Sequence, residues 1–307
     1  MRDPLVWRRT VALSVGLTAA TASACRPALS PPAVAYERSV PTSEATVATC
    51  WVESRARFGF TASSLLIRHA EGDLLIDAGN SSNFDAEIEV YEGSTKRWLA
   101  TMPAALKPRL ALDDLLRTLE VAPEGLRAVI PTHAHLDHIG GALDLPPVEL
   151  WVDAAEAALI ERSRDELRFE VIPAHAEGLH DRLVPLEWRD EPYEIFAQHV
   201  DVFEDGSVVL VPLRGHTPGS LGVFVRLPDG RRIFHVGDPV NDRVQLARLR
   251  GRTPLMRRTD SDPETAAVVV GQLAALAEAV PELYILPAHE RAAWREVFGA
   301  PADTCPR

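Results

Sequence analysis

The stretch Thr132-His133-Ala134-His135-Leu136-Asp137-His138-Ile139-Gly140-Gly141 places three His and one Asp within six positions. Four polar groups this close are costly to bury without partners. A metal ion supplies one: neutral imidazole and carboxylate suit a borderline cation such as zinc. The spacing divides the cluster. His133 and His135 stand two apart, so an extended backbone turns both to one side. Asp137 and His138 follow after the chain turns and face a second point.

Such a cluster needs rigid elements to aim it. The apolar run 127–131 reads as a strand entering the core, and the paired Gly140-Gly141 precedes a helix start. Further strands are expected at 46–58, 148–152, 207–213 and 283–286. Residues 63–69 and 73–76 read as a hairpin about Glu71-Gly72, and 221–227 with 231–236 as another about Pro228-Asp229-Gly230. Helices are expected at 110–119, with Leu112, Leu115, Leu116 and Leu119 on one face, and at 154–162. A long helix opens at Asp262-Pro263-Glu264 and runs to about 280. Segments 80–107 and 165–200 lack clean periodicity. The first carries Phe84, Tyr91, Trp98 and Met102 and is a candidate substrate wall. The second holds His175, His180 and His199, none at ligand spacing, which read as surface or packing residues. His69 reads as a surface strand residue, and His235 as core or as support for the site.

The run His133-Ala134-His135-Leu136-Asp137-His138 resembles the HxHxDH motif of the metallo-β-lactamase superfamily. Four more stretches resemble that family's marks in the same order: Asp73-Leu74-Leu75-Ile76-Asp77-Ala78-Gly79, Gly215-His216-Thr217-Pro218-Gly219-Ser220, Val236-Gly237-Asp238 and Pro287-Ala288-His289-Glu290. The resemblance implies an α/β fold, the four-layer αββα sandwich. It implies that His133, His135 and His216 hold one metal, that Asp137, His138 and His289 hold a second, and that Asp238 bridges the two. Two zinc ions per chain are expected, with a bridging water acidified to hydroxide near neutral pH. Asp137 is then the catalytic group that accepts or relays a proton, and Asp77 a residue that orients a ligand.

Departures from single branches narrow the activity. The best-known β-lactamases lack the bridging Asp, which disfavours that reaction here. Acyl-homoserine lactonases carry a Tyr soon after it, where this chain has Pro239-Val240-Asn241. The expectation is a metal-dependent hydrolase of an ester, lactone or thioester. Two alternatives are a mononuclear iron dioxygenase of the persulfide type, for which His133, His135, His216 and Asp238 would suffice, and a non-catalytic metal-binding protein of the same fold.

The chain has 307 residues, 46% hydrophobic and 25% charged, as expected of one large folded domain. Its net charge of -12, from 32 Lys and Arg against 44 Asp and Glu, argues against a nucleic-acid partner, and the resemblance to metal-dependent hydrolases implies a small-molecule substrate. Residues 1–25 read as a signal peptide: Arg8-Arg9, a short apolar stretch, then Ala22-Ser23-Ala24-Cys25. The paired Arg resembles a twin-arginine signal and the segment at Cys25 a lipoprotein box, so the expected location is periplasmic or membrane-anchored through a lipidated Cys25. Residues 26–45, rich in Pro, Ser and Ala, read as a flexible tether, and 46–307 as the folded domain. Cys50 and Cys305 then remain, either as a disulfide from the domain's start to its end or as two free thiols.

Overall fold

A computed structural model describes residues 28–29, 38–168, 170–254 and 256–305. The leader with Arg8-Arg9 and Cys25 lies outside the described residues. Six strands form one sheet in sequence order: β1 (Ala48–Arg57), β2 (Phe60–Arg68), β3 (Asp73–Ile76), β4 (Leu126–Ile130), β5 (Glu149–Val152) and β6 (Leu183–Pro185). Five form the other: β7 (Val200–Asp201), β8 (Val208–Pro212), β9 (Leu221–Arg226), β10 (Arg232–Gly237) and β11 (Leu283–Pro287), in the order β11-β10-β9-β8-β7. The first sheet turns from antiparallel to parallel at β3–β4, and the second at β10–β11.

Alternation along the strands explains the layers. Leu65, Ile67, Leu74, Ile76 and Ile130 point between the sheets, where they meet Val208, Leu210, Val223 and Ile233. Their neighbours Leu66, Leu75 and Val129 point outward, under α4 (Leu112–Thr118), α6 (Ala154–Arg162) and α7 (Pro173–Leu179). On the far side Phe224, Phe234 and Ile285 pack beneath Val269, Val270, Leu273 and Leu276 of α9 (Pro263–Ala279). The result is the four-layer αββα sandwich. Asp262 caps α9, its side chain accepting from the amides of Glu264 and Thr265.

Where the expected spans differ from the structure, turn geometry is the reason. The β1–β2 turn is Phe58-Gly59, both left-handed, so β2 starts three residues earlier than the alternation suggests. Segment 80–107 is built from α1 (Phe84–Glu87), α2 (Gly93–Leu99) and α3 (Met102–Ala105), each too short to show a helical period. Three more helices are α5 (Leu136–Ile139), α8 (Val244–Ala247) and α10 (Arg291–Phe298). Cys50 and Cys305 are bonded, 255 residues apart, tying β1 to the chain's end. Parts of the segment that composition reads as a tether are held against loops of the folded domain. The Leu29 amide donates to the Leu249 carbonyl, Ser39 and Glu194 exchange backbone bonds, and Arg38 pairs with the buried Glu194.

Candidate metal centre

The expected ligands converge because each follows a strand end on the same rim. His133 and His135 leave β4, with Asp137 and His138 on the α5 turn; His216 follows β8, Asp238 follows β10 and His289 follows β11. The side chains offer three overlapping groups: His133, His135 and His216; His133, His138 and Asp238; Asp137, His138 and His289. Six of these seven residues are buried, and Asp137 is partly exposed, its side chain at 20%.

The distances fit a metal cluster. His138 Nε2 and His289 Nε2 lie 3.3 Å apart. His289 Nε2 is 3.4 Å from Asp137 Oδ2 and 3.3 Å from Asp238 Oδ1. Asp238 Oδ1 is also 3.6 Å from His138 Nε2, while its Oδ2 is 3.8 Å from His216 Nε2. Zinc–nitrogen bonds of about 2.1 Å set tetrahedral ligands about 3.4 Å apart. His133 Nε2 and His135 Nδ1 approach to 3.0 Å. His135 Nε2, His216 Nε2 and Asp238 Oδ1 are buried without a hydrogen-bond partner. Unpaired buried polar atoms are costly, and these last two aim where a cation would sit.

Neighbours set which nitrogen carries each proton. The His289 Nδ1–H donates to the Thr61 carbonyl at 2.8 Å, and His138 Nδ1 lies 2.9 Å from Asp77 Oδ2. Both rings thereby present Nε2 to the centre. Asp77 also accepts from the Thr132 amide (2.7 Å) and hydroxyl (3.0 Å), and His235 Nε2 stands 3.4 Å from it. Asp77 takes a left-handed backbone conformation, φ 58°, which turns the chain at this point. Gly237 (φ 62°) lets β10 pass Thr132, where a Cβ would meet Oγ1 at 2.8 Å.

Charge is distributed in two ways. Burial holds His133 and His216 well below the ordinary imidazole range and His135 down to about 4, so their rings are neutral, as ligands must be. At His289 burial opposes the charged ring but Asp238, then Asp137, overcome it and push it up to about 10. At His138 Asp77 and Asp238 overcome burial in the same direction. Asp238 is itself held well below the carboxylate range, against burial, by His289 and His138. The carboxylates thus attract positive charge to the point where the ring nitrogens face one another.

Three contributors come from segments that carried no ligand signal. Asp260 Oδ1 lies 2.8 Å from His216 Nδ1, and Arg252 Nη1 donates to the same oxygen at 2.5 Å. Glu156 reaches both ligand loops. No local pattern marks Glu156 and Asp260, since their partners on the ligand loops are 22 to 63 residues away. His175, expected at the surface or in packing, is wholly buried with Nε2 2.9 Å from Glu87 Oε2. His180 and His199 are half-buried and stand away from the centre's ligand groups, and His69 stacks on Phe203 at the edge of the core.

Beside the ligands lies a cavity of about 130 Å³. Phe60, Trp98, Pro103, Leu106, Leu136 and Met256 make its apolar wall. Trp98, Pro103 and Leu106 come from segment 80–107, which therefore does overhang the ligands. Asn241, Arg252 and Thr259 come from the loop after Asp238.

Residues 57–289 match the sequence profile of the Metallo-beta-lactamase superfamily. A probable metallo-hydrolase of Mycobacterium tuberculosis is 31% identical over 202 residues, 64% of this chain and 62% of that protein. The hydroxyacylglutathione hydrolase GloC of Haemophilus influenzae is 30% identical over 126 residues, 39% and 53%. The N-acyl homoserine lactonase AttM of Rhizobium radiobacter is 26% identical over 182 residues, 55% and 61%. The chain thus spans between half and two thirds of the length of these curated relatives. Among solved structures, an N-acyl homoserine lactone hydrolase aligns with a TM-score of 0.58 at 17% identity, covering 84% of this chain and all of that one. A single-substitution mutant of AiiA from B. thuringiensis aligns with a TM-score of 0.59 at 16% identity, again over 84% of this chain and all of that one. These likenesses agree on the fold, and the profile takes in every clustered ligand from His133 to His289: the chain belongs to the metallo-beta-lactamase superfamily.

Proposed function

We propose that this protein is an exported hydrolase that uses two zinc ions to cleave an ester, lactone or thioester. His133, His135 and His216 would hold one ion and Asp137, His138 and His289 the other, with Asp238 within reach of both groups. The observation that carries this reading is the Asp238 carboxylate, whose Oδ1 faces His138 and His289 while its Oδ2 faces His216. One oxygen is offered to each group. Bound divalent ions supply an acidified water and an electrophile for the carbonyl oxygen. The chain's own residues do the rest. Asp77, Thr61 and Asp260 fix the ring orientations. Asp137, the most exposed of the seven ligands, is placed to pass a proton between the cavity and the centre. The wall from Phe60 to Met256 excludes water and receives an apolar acyl group. Names of the relatives support the reaction class, since they include hydrolases of acylated small molecules.

The deciding experiment is elemental analysis of the leaderless protein purified without added metal. About two zinc per chain is expected, with turnover of neutral esters, lactones or thioesters that His216→Ala abolishes while the fold is kept. About one iron per chain would replace this reading with the dioxygenase, and no tightly bound metal after reconstitution with a non-catalytic role. For location, Cys25→Ala should release the full chain from the membrane fraction; unchanged membrane association would defeat the lipid anchor.

A further inference from the structure

We infer that Glu156 is a positioning residue: its carboxylate clamps together the two loops that carry His133, His135 and His216. Glu156 lies in the first turn of α6 and is 1% exposed. Its Oε1 accepts from the Ala134 amide at 2.5 Å, and Ala134 stands between His133 and His135. Its Oε2 accepts from the Gly219 amide at 2.8 Å, three residues past His216. The Thr217 side chain bonds to it as well. One loop leaves the first sheet and the other the second, so one side chain ties a ligand loop of each layer.

A packing role alone does not explain the residue. Burying a carboxylate is expensive unless it is paired or fully bonded. Among the described residues no ion pair involves Glu156, and the like-charged Asp153 acts against its ionisation. An apolar side chain would fill this space at less cost. What an apolar residue cannot do is accept two amide hydrogens that point from opposite loops. Gln cannot do it fully either: it has one oxygen, and its NH2 would face an N–H donor. Position 219 is fitted to the same contact, since a Cβ there would stand 2.5 Å from Glu156 Cβ and 2.6 Å from its amide. Glycine is what lets the second loop come within reach.

The consequence for metal binding rests on the two-zinc reading; the clamp itself does not. The test is therefore double. Hydrogen exchange of metal-free Glu156→Gln at pH 8 should be faster by about tenfold or more at the Ala134 or Gly219 amide, while amides of α9 keep their wild-type protection. Unchanged protection at both amides overturns the clamp. In zinc titration with a competing chelator, the variant should lose one equivalent by about 10- to 100-fold in affinity and hold the other. Two equivalents as tight as wild type would refute the role in positioning, and so would equal weakening of both. Glu156→Asp, which keeps the charge but shortens the reach, should give the same pattern if the Gln variant fails to fold. A wild-type protein that binds no zinc would sink the proposed centre, while the exchange data still judge the clamp.

Discussion

Reducing the Cys50–Cys305 bond should destabilise this domain measurably, because it closes a loop of 255 residues. In the chain-entropy account, cross-linking removes freedom from the unfolded chain, and a loop of this length corresponds to about 5 kcal/mol as an upper value. The folded state should change little. The Ala302 amide donates to the Trp51 carbonyl and the Cys305 amide to the Leu119 carbonyl, both at 2.9 Å, so the tail has its own hold on β1 and on the end of α4. Residual structure in the unfolded chain lowers the effect, and about 3 kcal/mol is a fair expectation. For a domain of this size that is a fall in Tm of roughly 6–12 °C. The assay compares one preparation, oxidised and reduced, by thermal unfolding followed by far-UV circular dichroism, with thiol titration of each sample. Comparing redox states of one chain avoids the cavity that a Cys305→Ala change would leave. Equal midpoints, or two titratable thiols in the oxidised native protein, would refute the reasoning.

Asp260→Asn keeps the shape beside His216 but removes the charge that orients the ring. It should weaken zinc retention against a chelator by about 10- to 100-fold, and retention equal to wild type would show that Asp260 does not support His216. Trp98→Ala opens the apolar wall. It should lower kcat/KM for long-chain acyl substrates by about tenfold while sparing acetyl esters, as expected for losing about 1.5 kcal/mol of apolar contact; equal loss on both would place Trp98 outside the acyl site. The third prediction concerns pH. Burial pushes the Glu156 carboxyl up from 4.5 to about 7, against the pull of its amide donors. The folded state thus holds the proton more tightly than the unfolded state. That contribution to stability is complete below about 4.5 and is lost as pH rises through 7, amounting to about 3 kcal/mol for the metal-free protein. Urea unfolding of wild type and Glu156→Gln at pH 4.5 and pH 8 should show the difference between them moving in the variant's favour at pH 8. A difference constant across that range would contradict the raised carboxyl.

The sequence made the ligands and their order legible because metal ligation concentrates unusual residue types at short spacing next to apolar strands. His133, His135, Asp137 and His138 declare themselves within one turn, and His216, Asp238 and His289 each follow a recognisable run. The strands were equally readable, since Leu65, Leu66 and Ile67 are buried on opposite faces and must be apolar throughout. What escaped was whatever depends on contact at a distance. Glu156 looks like a solvated helix residue until α6 is laid against both loops. Asp260 precedes a helix cap and reads as part of it. His175 and Glu87 are 88 residues apart and meet only when α7 packs under the segment that carries α1. The 80–107 wall hid its pattern because its helices are at most seven residues long.

These two kinds of residue divide the work of the site. The groups placed to hold metal stand at the ends of strands buried on both faces, so a slip of one residue would exchange the row packed against the helices with the row packed against the other sheet, and neither layer would fit. Geometry that a metal requires is thereby protected by the core itself. The cavity walls stand on short helices and on the loop after Asp238, which contribute Trp98, Leu106, Asn241, Arg252 and Met256. Changes there leave the strands untouched. Yet one link joins the two sets. Arg252 lines the cavity and also donates to Asp260, the partner of His216. A substrate that pulls Arg252 toward the cavity would loosen the carboxylate that orients a ligand, whereas one held by apolar contact alone would leave it in place. On the proposed reading, an uncharged acyl group on the wall would leave this link intact, and an anion gripped by Arg252 would not.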